Sequence, residues 1–462
     1  MGRYTIKSFI ASLSLCCLGL GFNGCTSEGV PVYPKSESTL SEEFVYNYML
    51  LGYYYIDQSI YLGEPEEYIG KVEPYSLSEY GIPLEYYDMY YLYSKMNDPY
   101  TFYLDPTRAA KYWDSIKYSE PSLDAGFDWE MNDSTGEFII IKVTKNSPAD
   151  KAGIKAGDVI MAIDGTAPTN ATVFDKLTHG SEGETITFTV KRDDTSLDIQ
   201  VVLETYYTPT VELSFKDSIP VIKILEFTPQ TSNDSGTYGE FMAYLRETEN
   251  YKSTIIDMRD NGGGDGDQCF SMSQEFLSIG DSCAGVISTY ADTITRMQGL
   301  DTTFLVNERD GFAKDRYIVF LANDLSASCS EVLLLSVLQN KKFPIVGTTT
   351  YGKGIGQVTT STPTDAIAHI TAMRVIDKNF NTYHKYGFEP DFKIFDENLA
   401  LEKAVELAKE GSYVRTAGYG NINTGHFAKS AETQDTMPGF YMMPREKRKH
   451  SFLKQDLIRI IP

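Results

Sequence analysis

The first part of this 462-residue chain places apolar and polar residues at helical spacing. Residues 43–56 and 84–96 carry apolar and aromatic side chains three or four positions apart, which predicts two helices. Residues 41–120 hold 18 of the 33 tyrosines, and we expect these rings to pack in a core. The pattern therefore predicts a helical N-terminal domain over residues 41–120.

Residues 121–206 follow a strand-like period instead. Residues 138–143 form a short apolar run, and residues 185–191 alternate apolar and polar positions. A short apolar helix face over residues 173–177 lies between these two predicted strands. We expect a small β-rich domain here.

Strands and helices alternate from residue 207 to residue 410, which is typical of an α/β core with some parallel strand pairing. The predicted strands span residues 221–227, 253–258 and 343–347, and the predicted helices span residues 235–245, 332–338 and 399–409. The fold class predicted for the chain is multidomain α/β, with a mixed sheet in the 207–410 core.

The N-terminus has the pattern of an export signal. Arg3 and Lys7 precede a mostly apolar stretch over residues 9–22, which is too short to span a membrane. Cys25 with a glycine before it resembles a bacterial lipobox, which implies cleavage before Cys25 and lipid on its thiol. A plain secreted protein with a free cysteine is the alternative. The expected segments are a signal peptide over residues 1–24 and a tether over residues 25–40.

The net charge is −23, from 41 basic and 64 acidic residues, and it argues against nucleic acid as a partner. Cys269, Cys283 and Cys329 are the cysteines that follow residue 25; they are too few for a disulfide framework and lack C-x-x-C metal spacing. A single Cys269–Cys283 bridge stays open, and neither a metal nor a cofactor is expected. Residues 411–462 lose periodicity, so we expect a poorly ordered tail.

Ser328 and Lys353 are the candidate catalytic residues. Ser328 follows the apolar run 317–322 at a predicted turn into a helix, where free N–H groups and the helix dipole favour negative charge. Lys353 lies between two glycines, and an amine that burial keeps neutral can accept a hydroxyl proton. Together these contexts make a dyad of serine nucleophile and lysine base chemically plausible. Taken alone, Ser328 with Glu331 is also a capping box, and a lone lysine is usually a solvated charge.

These motifs resemble those of the carboxyl-terminal processing peptidases, also called tail-specific proteases. Residues 255–264 match the family's Asp-Leu-Arg-x-Asn-x-Gly-Gly segment apart from Met258. Glycines let the backbone approach a substrate carbonyl closely. The resemblance implies an oxyanion hole from the amides of Cys329 and Gly263, with Gly264 as the near alternative to Gly263. A plain tight turn is the competing interpretation of the glycines.

Gln357 matches the glutamine that some family members use to orient the lysine amine. Other members use an aspartate eleven residues after the serine, where this chain has Gln339. Residues four apart share one face of a strand, so we expect Lys353 and Gln357 to face the site together. The five histidines form no recognisable triad. Catalysis by Cys329 is rejected because the motif places the attacking atom on Ser328.

A second resemblance concerns the β-rich domain. Residues 146–165 contain Asn-Ser-Pro-Ala-Asp-Lys-Ala-Gly-Ile-Lys-Ala-Gly-Asp-Val-Ile followed by Ala-Ile-Asp-Gly, which resembles the core of a bacterial PDZ domain. Ala125, Gly126 and Phe127 resemble the loop whose N–H groups hold a peptide's C-terminal carboxylate. The resemblance implies that a bound peptide adds as a strand beside residues 128–131. A domain that only braces the protease is the alternative.

The resemblances cover residues 41–410 and imply a lipid-anchored serine endopeptidase of the bacterial envelope that cleaves polypeptides near their C-termini. The expected partners are polypeptides with free C-termini and the membrane, and a homo-oligomer is open. One rival is a catalytically silent PDZ lipoprotein, which the joint presence of serine, lysine and glycine loop argues against. Another is an esterase with the same dyad, which the PDZ module makes a poorer fit.

Overall fold

The computed structural model describes residues 40–57, 62–71, 77, 80–96, 98–117, 119, 121–132, 135–169, 181–291 and 298–415. The helices of this part are α1 (Glu42–Tyr54), α2 (Tyr87–Ser94), α3 (Pro106–Lys117), α4 (Pro148–Ala152), α5 (Gly236–Glu247), α6 (Gly266–Gln274), α7 (Cys329–Leu338) and α8 (Glu397–Glu410). Short 3-10 helices span Pro65–Tyr68 and Leu84–Tyr86.

The strands of the same residues are β1 (Phe102–Leu104), β2 (Pro121–Ser122), β3 (Phe127–Met131), β4 (Phe138–Val143), β5 (Val159–Ile163), β6 (Thr185–Arg192), β7 (Thr195–Val202), β8 (Tyr206–Tyr207), β9 (Val211–Lys216), β10 (Ile219–Ile224), β11 (Ser253–Asp257), β12 (Ser282–Ala291), β13 (Gln298–Val306), β14 (Tyr317–Ala322), β15 (Ile345–Gly347), β16 (Ile355–Ser361), β17 (Ile367–Ile376) and β18 (Phe392–Lys393).

The chain forms two compact units. The larger holds the described residues within 1–114, 213–227 and 245–462, and the smaller holds those within 115–212 and 228–244. The predicted signal peptide with Cys25, the helix face at residues 173–177 and the tail beyond residue 415 lie outside the described residues. Within the described residues, no helix is long and apolar enough to cross a membrane.

A six-stranded sheet in the order β18-β15-β14-β11-β10-β9 forms the core of the larger unit. The pairings of β10 with β11, β11 with β14, β14 with β15, and β15 with β18 are parallel. β11 is buried along its whole length, β14 along all but its first residue, and α7 completely, as expected for parallel strands covered on both faces. The predicted α/β core is confirmed.

A second sheet in the larger unit is antiparallel, with the order β1-β17-β12-β13 and with β16 also paired to β17. β1 belongs to the N-terminal region, and its Phe102 pairs with His369 of β17. The tyrosine-rich helices pack against the same sheet through a core that includes Tyr93, Tyr103 and Ala368. The helical N-terminal region and the α/β core therefore belong to one compact unit.

The smaller unit contains a five-stranded antiparallel sheet in the order β3-β4-β5-β6-β7. Ile140, Ile186 and Phe188 fill its core. Ser147 caps α4, since its hydroxyl accepts a hydrogen bond from the Asp150 amide. β3 lies at an edge of this sheet, and the predicted β-rich fold is confirmed.

Prolines explain where two elements begin later than predicted. The helix predicted from residue 84 starts as a 3-10 turn after Pro83, and its α-helical part spans Tyr87–Ser94. The strand predicted from residue 343 begins at Ile345, because Pro344 has no N–H to donate to a neighbouring strand.

Candidate active site

Three loops that follow adjacent parallel strands carry the predicted catalytic groups. The glycine loop follows β11, the turn with Ser328 follows β14, and the turn with Lys353 follows β15. The carboxyl ends of parallel strands lie at one edge of a sheet, which is where open α/β folds bind their ligands. The sheet order therefore brings residues some 90 positions apart in sequence to one edge.

Ser328 occupies a strained turn between β14 and α7. Its φ of 55° and ψ of −114° are rare for a residue with a side chain, and such a conformation costs roughly 1–3 kcal/mol. Hydrogen bonds hold this turn: the Ala327 amide donates to the Asn261 carbonyl at 3.0 Å, and the Ser330 hydroxyl donates to the same oxygen at 3.0 Å. The surroundings thus fix the Ser328 backbone at the N-terminus of α7.

Gly263 lies directly against this turn. A Cβ atom on Gly263 would stand 2.7 Å from the Cβ of Ser328 and 3.0 Å from the Cys329 amide nitrogen. Its φ of +105° also disfavours a side chain. The close approach requires glycine and brings the loop backbone to the amide at the start of α7.

Gly263 and Gly264, the two alternatives for the oxyanion donor beside Cys329, differ in the hydrogen bonds of their amides. The Gly263 amide donates to Oδ1 of the buried Asn261 at 2.8 Å, so its hydrogen is already engaged. Within the described part of the chain, the amides of Gly264 and Cys329 have no hydrogen-bond acceptor. The Cys329 thiol donates to the carbonyls of Gly264, at 3.4 Å, and Asp265, at 3.2 Å, and so joins the loop to α7.

Lys353 is partly buried in a turn between two glycines, just before β16. Burial lowers the pKa of its amine, while electrostatic interactions with Asp98, Cys329 and Glu331 act in the opposite direction. The ring of Tyr100 lies 4.5 Å from Nζ. A lowered pKa increases the neutral fraction of the amine, which is the form that can act as a base.

Glu331 links the two predicted catalytic residues through their backbones. Its fully buried Oε2 accepts hydrogen bonds from the amides of Ser328, at 3.1 Å, and Lys353, at 2.8 Å. Its Oε1 accepts from the Thr350 hydroxyl at 2.6 Å and the Gly352 amide at 2.7 Å. Burial raises the pKa of this carboxyl to about 7 despite the four donors. One carboxylate therefore sets the distance between the serine turn and the lysine turn.

The expected alignment of Lys353 with Gln357 along a strand is wrong. β16 begins at Ile355, so Lys353 lies in the preceding turn, and the pairing register shifts between Gly356 and Gln357. The Gln357 amide donates to the Thr371 hydroxyl at 3.2 Å. An orienting role for Gln357 on Lys353 stays a prediction.

Two histidines lie near the lysine turn. His369 stacks on Phe102 with a centroid distance of 4.4 Å, and its Nδ1 lies 2.7 Å from the Thr359 hydroxyl. Burial and the charge of Lys353 lower its pKa to about 3. Burial also lowers the pKa of His384 to about 4, and its Nδ1 accepts from the Gly354 amide at 3.3 Å. Both rings are therefore neutral at physiological pH.

The predicted carboxylate loop of the smaller unit is tightly held. The Gly126 carbonyl accepts from the Thr144 amide at 2.9 Å, and the Ala125 carbonyl accepts from the Ala149 amide at 2.8 Å. Gly126 has a φ of +81°, and a Cβ there would lie 2.1 Å from that of Ser147. Phe127 begins the edge strand β3, so the loop leads directly into a strand with one edge that no other described strand pairs with.

Cys269, Cys283 and Cys329 are buried free thiols, so the Cys269–Cys283 bridge is absent. Cys269 instead interacts with Cys329, and burial is the main cause that raises its pKa. Among the described residues, no group of three or more His, Cys, Asp or Glu side chains could hold a metal ion.

Two residues near the site were missed at the sequence level. The sequence predicts only a helix-capping role for Glu331. Its position three residues after the serine is the one local signal that places it near the site. Tyr100 lies far earlier in the chain, and no local pattern connects it with Lys353.

Both domain resemblances are confirmed by comparison with known proteins. Residues 218–394 match peptidase family S41, and residues 124–203 match the PDZ domain. A "Probable CtpA-like serine protease" of Staphylococcus haemolyticus is 26% identical over 359 residues, which are 74% of this chain and 68% of that protein. The protein of that name from Staphylococcus aureus is 26% identical over 306 residues, 65% of this chain and 58% of its own length.

Solved structures that match this chain in part include the photosystem II D1 C-terminal processing protease, with a TM-score of 0.46, 21% identity, and coverage of 81% of this chain and 98% of that one. A "Putative S41 protease" from Bacteroides fragilis has a TM-score of 0.44 and 15% identity, and covers 80% of this chain and 94% of its own.

The fold, the edge of the parallel sheet and the two domain matches define a PDZ-containing serine peptidase. Within that class, residues 218–394 match peptidase family S41, and the chain is similar to the CtpA-like serine proteases.

Proposed function

We propose that this protein is an envelope lipoprotein endopeptidase that cleaves polypeptides near their C-termini, with Ser328 as nucleophile and Lys353 as general base. The observation that carries the proposal is the buried Glu331 carboxylate, which binds the backbone amides of both residues. Cleavage of an unfolded polypeptide by the wild-type protein, absent with Ser328→Ala, tests it. A protein that binds the polypeptide and never cleaves it would be the silent PDZ lipoprotein.

The reaction requires only groups of this chain and water. The neutral Lys353 amine takes the Ser328 proton as Oγ attacks the scissile carbonyl, and the tetrahedral intermediate carries one negative charge. Its collapse breaks the C–N bond, and the lysine ammonium returns the proton to the leaving amine. Lys353 then deprotonates a water molecule that attacks the acyl-enzyme, and the ammonium returns that proton to Ser328 Oγ as the product acid leaves.

The amides of Cys329 and Gly264 are the favoured oxyanion donors in this proposal. Cys329 N–H lies in the first turn of α7, where the helix dipole favours negative charge. Gly263 would have to release Asn261 before it could serve, which costs a buried hydrogen bond.

The PDZ domain is proposed to select substrates by their free C-terminus. Support comes from the fixed Ala125–Phe127 loop and from the edge of β3 that is unpaired among the described strands, which suits strand addition by a peptide. A domain that only braces the protease would have no use for the substrate carboxylate.

Amidation of a substrate's C-terminus is expected to raise KM by roughly one to two decades, because charge-assisted hydrogen bonds of about 1.5–3 kcal/mol are lost. The measurement compares kcat/KM for acid and amide forms of one peptide with an internal cleavage site. Equal values would leave the domain as a brace.

The membrane association proposed here depends on lipid at Cys25. Its support is the apolar stretch over residues 9–22 and the Gly-Cys pair that follows it. A lipoprotein's several acyl chains hold firmly, whereas one chain binds only marginally.

Cys25→Ser is expected to move the protein from the membrane fraction to the soluble fraction or to stall its processing. Cys17→Ser is the matched control, since Cys17 lies within the predicted signal peptide and its loss should change nothing in the mature protein. Mass spectrometry of the mature N-terminus identifies the lipid. Full membrane retention of Cys25→Ser would point to another anchor.

A further inference from the structure

Tyr100 reaches the lysine turn from the N-terminal region. Its amide donates to Asp98 Oδ1 at 2.9 Å, and the Thr101 hydroxyl donates to Asp98 Oδ2 at 2.5 Å, so the segment is a closed turn. The Thr371 amide of β17 donates to the Thr101 hydroxyl at 2.9 Å. This bond extends the β1–β17 pairing and holds Tyr100 at a fixed position beside the antiparallel sheet.

Tyr100 contacts both the amine of Lys353 and the turn that carries it. Its ring centroid lies 4.5 Å from Nζ, within the range of a cation–π interaction. Its hydroxyl lies 3.0 Å from the Tyr351 hydroxyl, two residues before Lys353. A side chain from the N-terminal region therefore contacts both the proposed base and the turn that carries it.

The ring acts on the amine in two opposite ways. It covers Nζ from water, which favours the neutral amine, and its negative face attracts the ammonium. Its location against Nζ also restricts the rotamers of a long, flexible side chain. An apolar residue of similar size would keep the first effect and lose the second, so the two effects can be separated.

Other titratable groups face the same amine. Asp98, Glu331 and the Cys329 thiol favour the ammonium, while His369 is neutral at physiological pH. None of these groups changes when the Tyr100 ring is replaced. A change in the pH profile of a Tyr100 variant therefore reports the ring.

We propose that Tyr100 is a positioning residue for the catalytic base: its ring covers and orients the Lys353 amine, and its hydroxyl ties the ring to Tyr351. The inference rests on the proposed Ser/Lys function. It makes the N-terminal region a part of the catalytic machinery, with β1 and the Asp98 turn as the elements that deliver Tyr100 to the lysine.

The test measures kcat/KM against pH for Tyr100→Leu and Tyr100→Ala with a free-carboxylate peptide. Leucine excludes water without attracting a cation. The acidic limb of the pH profile should therefore move to lower pH by about half to one and a half units. Alanine opens a space for water, so the limb should move up by about one unit or more. Shifts of opposite sign are the expected result, because a purely structural role lowers kcat without moving the limb.

A double-mutant cycle tests the hydroxyl contact separately. Tyr100→Phe and Tyr351→Phe each remove one partner of the same hydrogen bond, so the double variant should lose no more kcat than either single variant. Additive losses would show that the two hydroxyls act independently. The phenylalanine variants retain the rings, so they decide the matter even where Leu or Ala at position 100 fails to fold, as judged by thermal unfolding.

Coincident acidic limbs for the wild type, Leu and Ala variants, together with additive losses in the cycle, would overturn the inference. Failure of the proposed function has a different signature: an inactive wild type, or an active Ser328→Ala variant. An active, Ser328-dependent wild type with unshifted Tyr100 variants would remove only the role of Tyr100.

Discussion

Lys353→Arg should be as inactive as Ser328→Ala, with a loss of proteolysis of at least about a thousandfold in each variant. Arginine retains a positive charge at every usable pH and cannot accept the serine proton. Lys353→Ala should be equally inactive, because no group that the structure describes near Lys353 is placed to replace the base. His369 and His384 have hydrogen-bond partners other than Ser328.

Two control variants distinguish a loss of catalytic chemistry from a loss of folding. Lys342→Ala removes an exposed lysine and should leave kcat unchanged. Cys329→Ala should retain activity within about tenfold, because its amide remains and only the thiol bonds to the glycine loop are lost. An inactive Cys329→Ala together with an active Ser328→Ala would reverse the assignment of the nucleophile.

Glu331→Gln should lower kcat by about ten- to a hundredfold while the protein remains folded. The carboxylate accepts four hydrogen bonds, and a carboxamide offers an NH₂ group where one oxygen stood. Whichever side the NH₂ occupies, at least one backbone amide of the two turns loses its acceptor, at about 1–3 kcal/mol for a buried donor. Glu240→Gln, a buried carboxylate that accepts the Thr210 and Val211 amides in the smaller unit, is the matched control.

The pH dependence of this variant gives a second readout. Glu331 must be ionised to accept all four bonds and Lys353 must be neutral, so both protonations reduce activity as the pH falls. The slope of log kcat/KM should approach two on the acidic side in the wild type and one in Glu331→Gln. An unchanged slope with unchanged kcat would contradict the role of Glu331.

The same carboxyl group affects activity and stability in opposite directions: its ionisation at higher pH supports activity but lowers the free energy of unfolding. Its folded pKa of about 7 lies above its ordinary value of 4.5, so the folded protein binds the proton more tightly than the unfolded chain. Its contribution to the free energy of unfolding is full below pH 4.5 and is lost as the pH rises through about 7. Glu331→Gln should lack this decline in a comparison of unfolding at pH 5 and pH 8.

Local patterns were sufficient for most elements and for the domain classes. The continuous apolar run of β14 follows from burial on two faces, and the alternation in β6 follows from burial on one. Glycine and helix-capping residues predict the serine and lysine turns, because the backbone conformation within a few positions determines where such residues are needed.

Long-range contacts decided what the motifs could not. The amide of Gly263 is engaged by Asn261, Gln357 is separated from Lys353 by a register shift, and Glu331 joins two turns that are 25 residues apart. Each of these depends on which strands are neighbours and on how they pair. The contact between Tyr100 and Lys353 depends on strand pairing most, since the β1–β17 pairing brings together two residues that are 253 positions apart. A sequence pattern reports local periodicity, whereas the packing of distant segments determines which amides are free and which side chains cover the base.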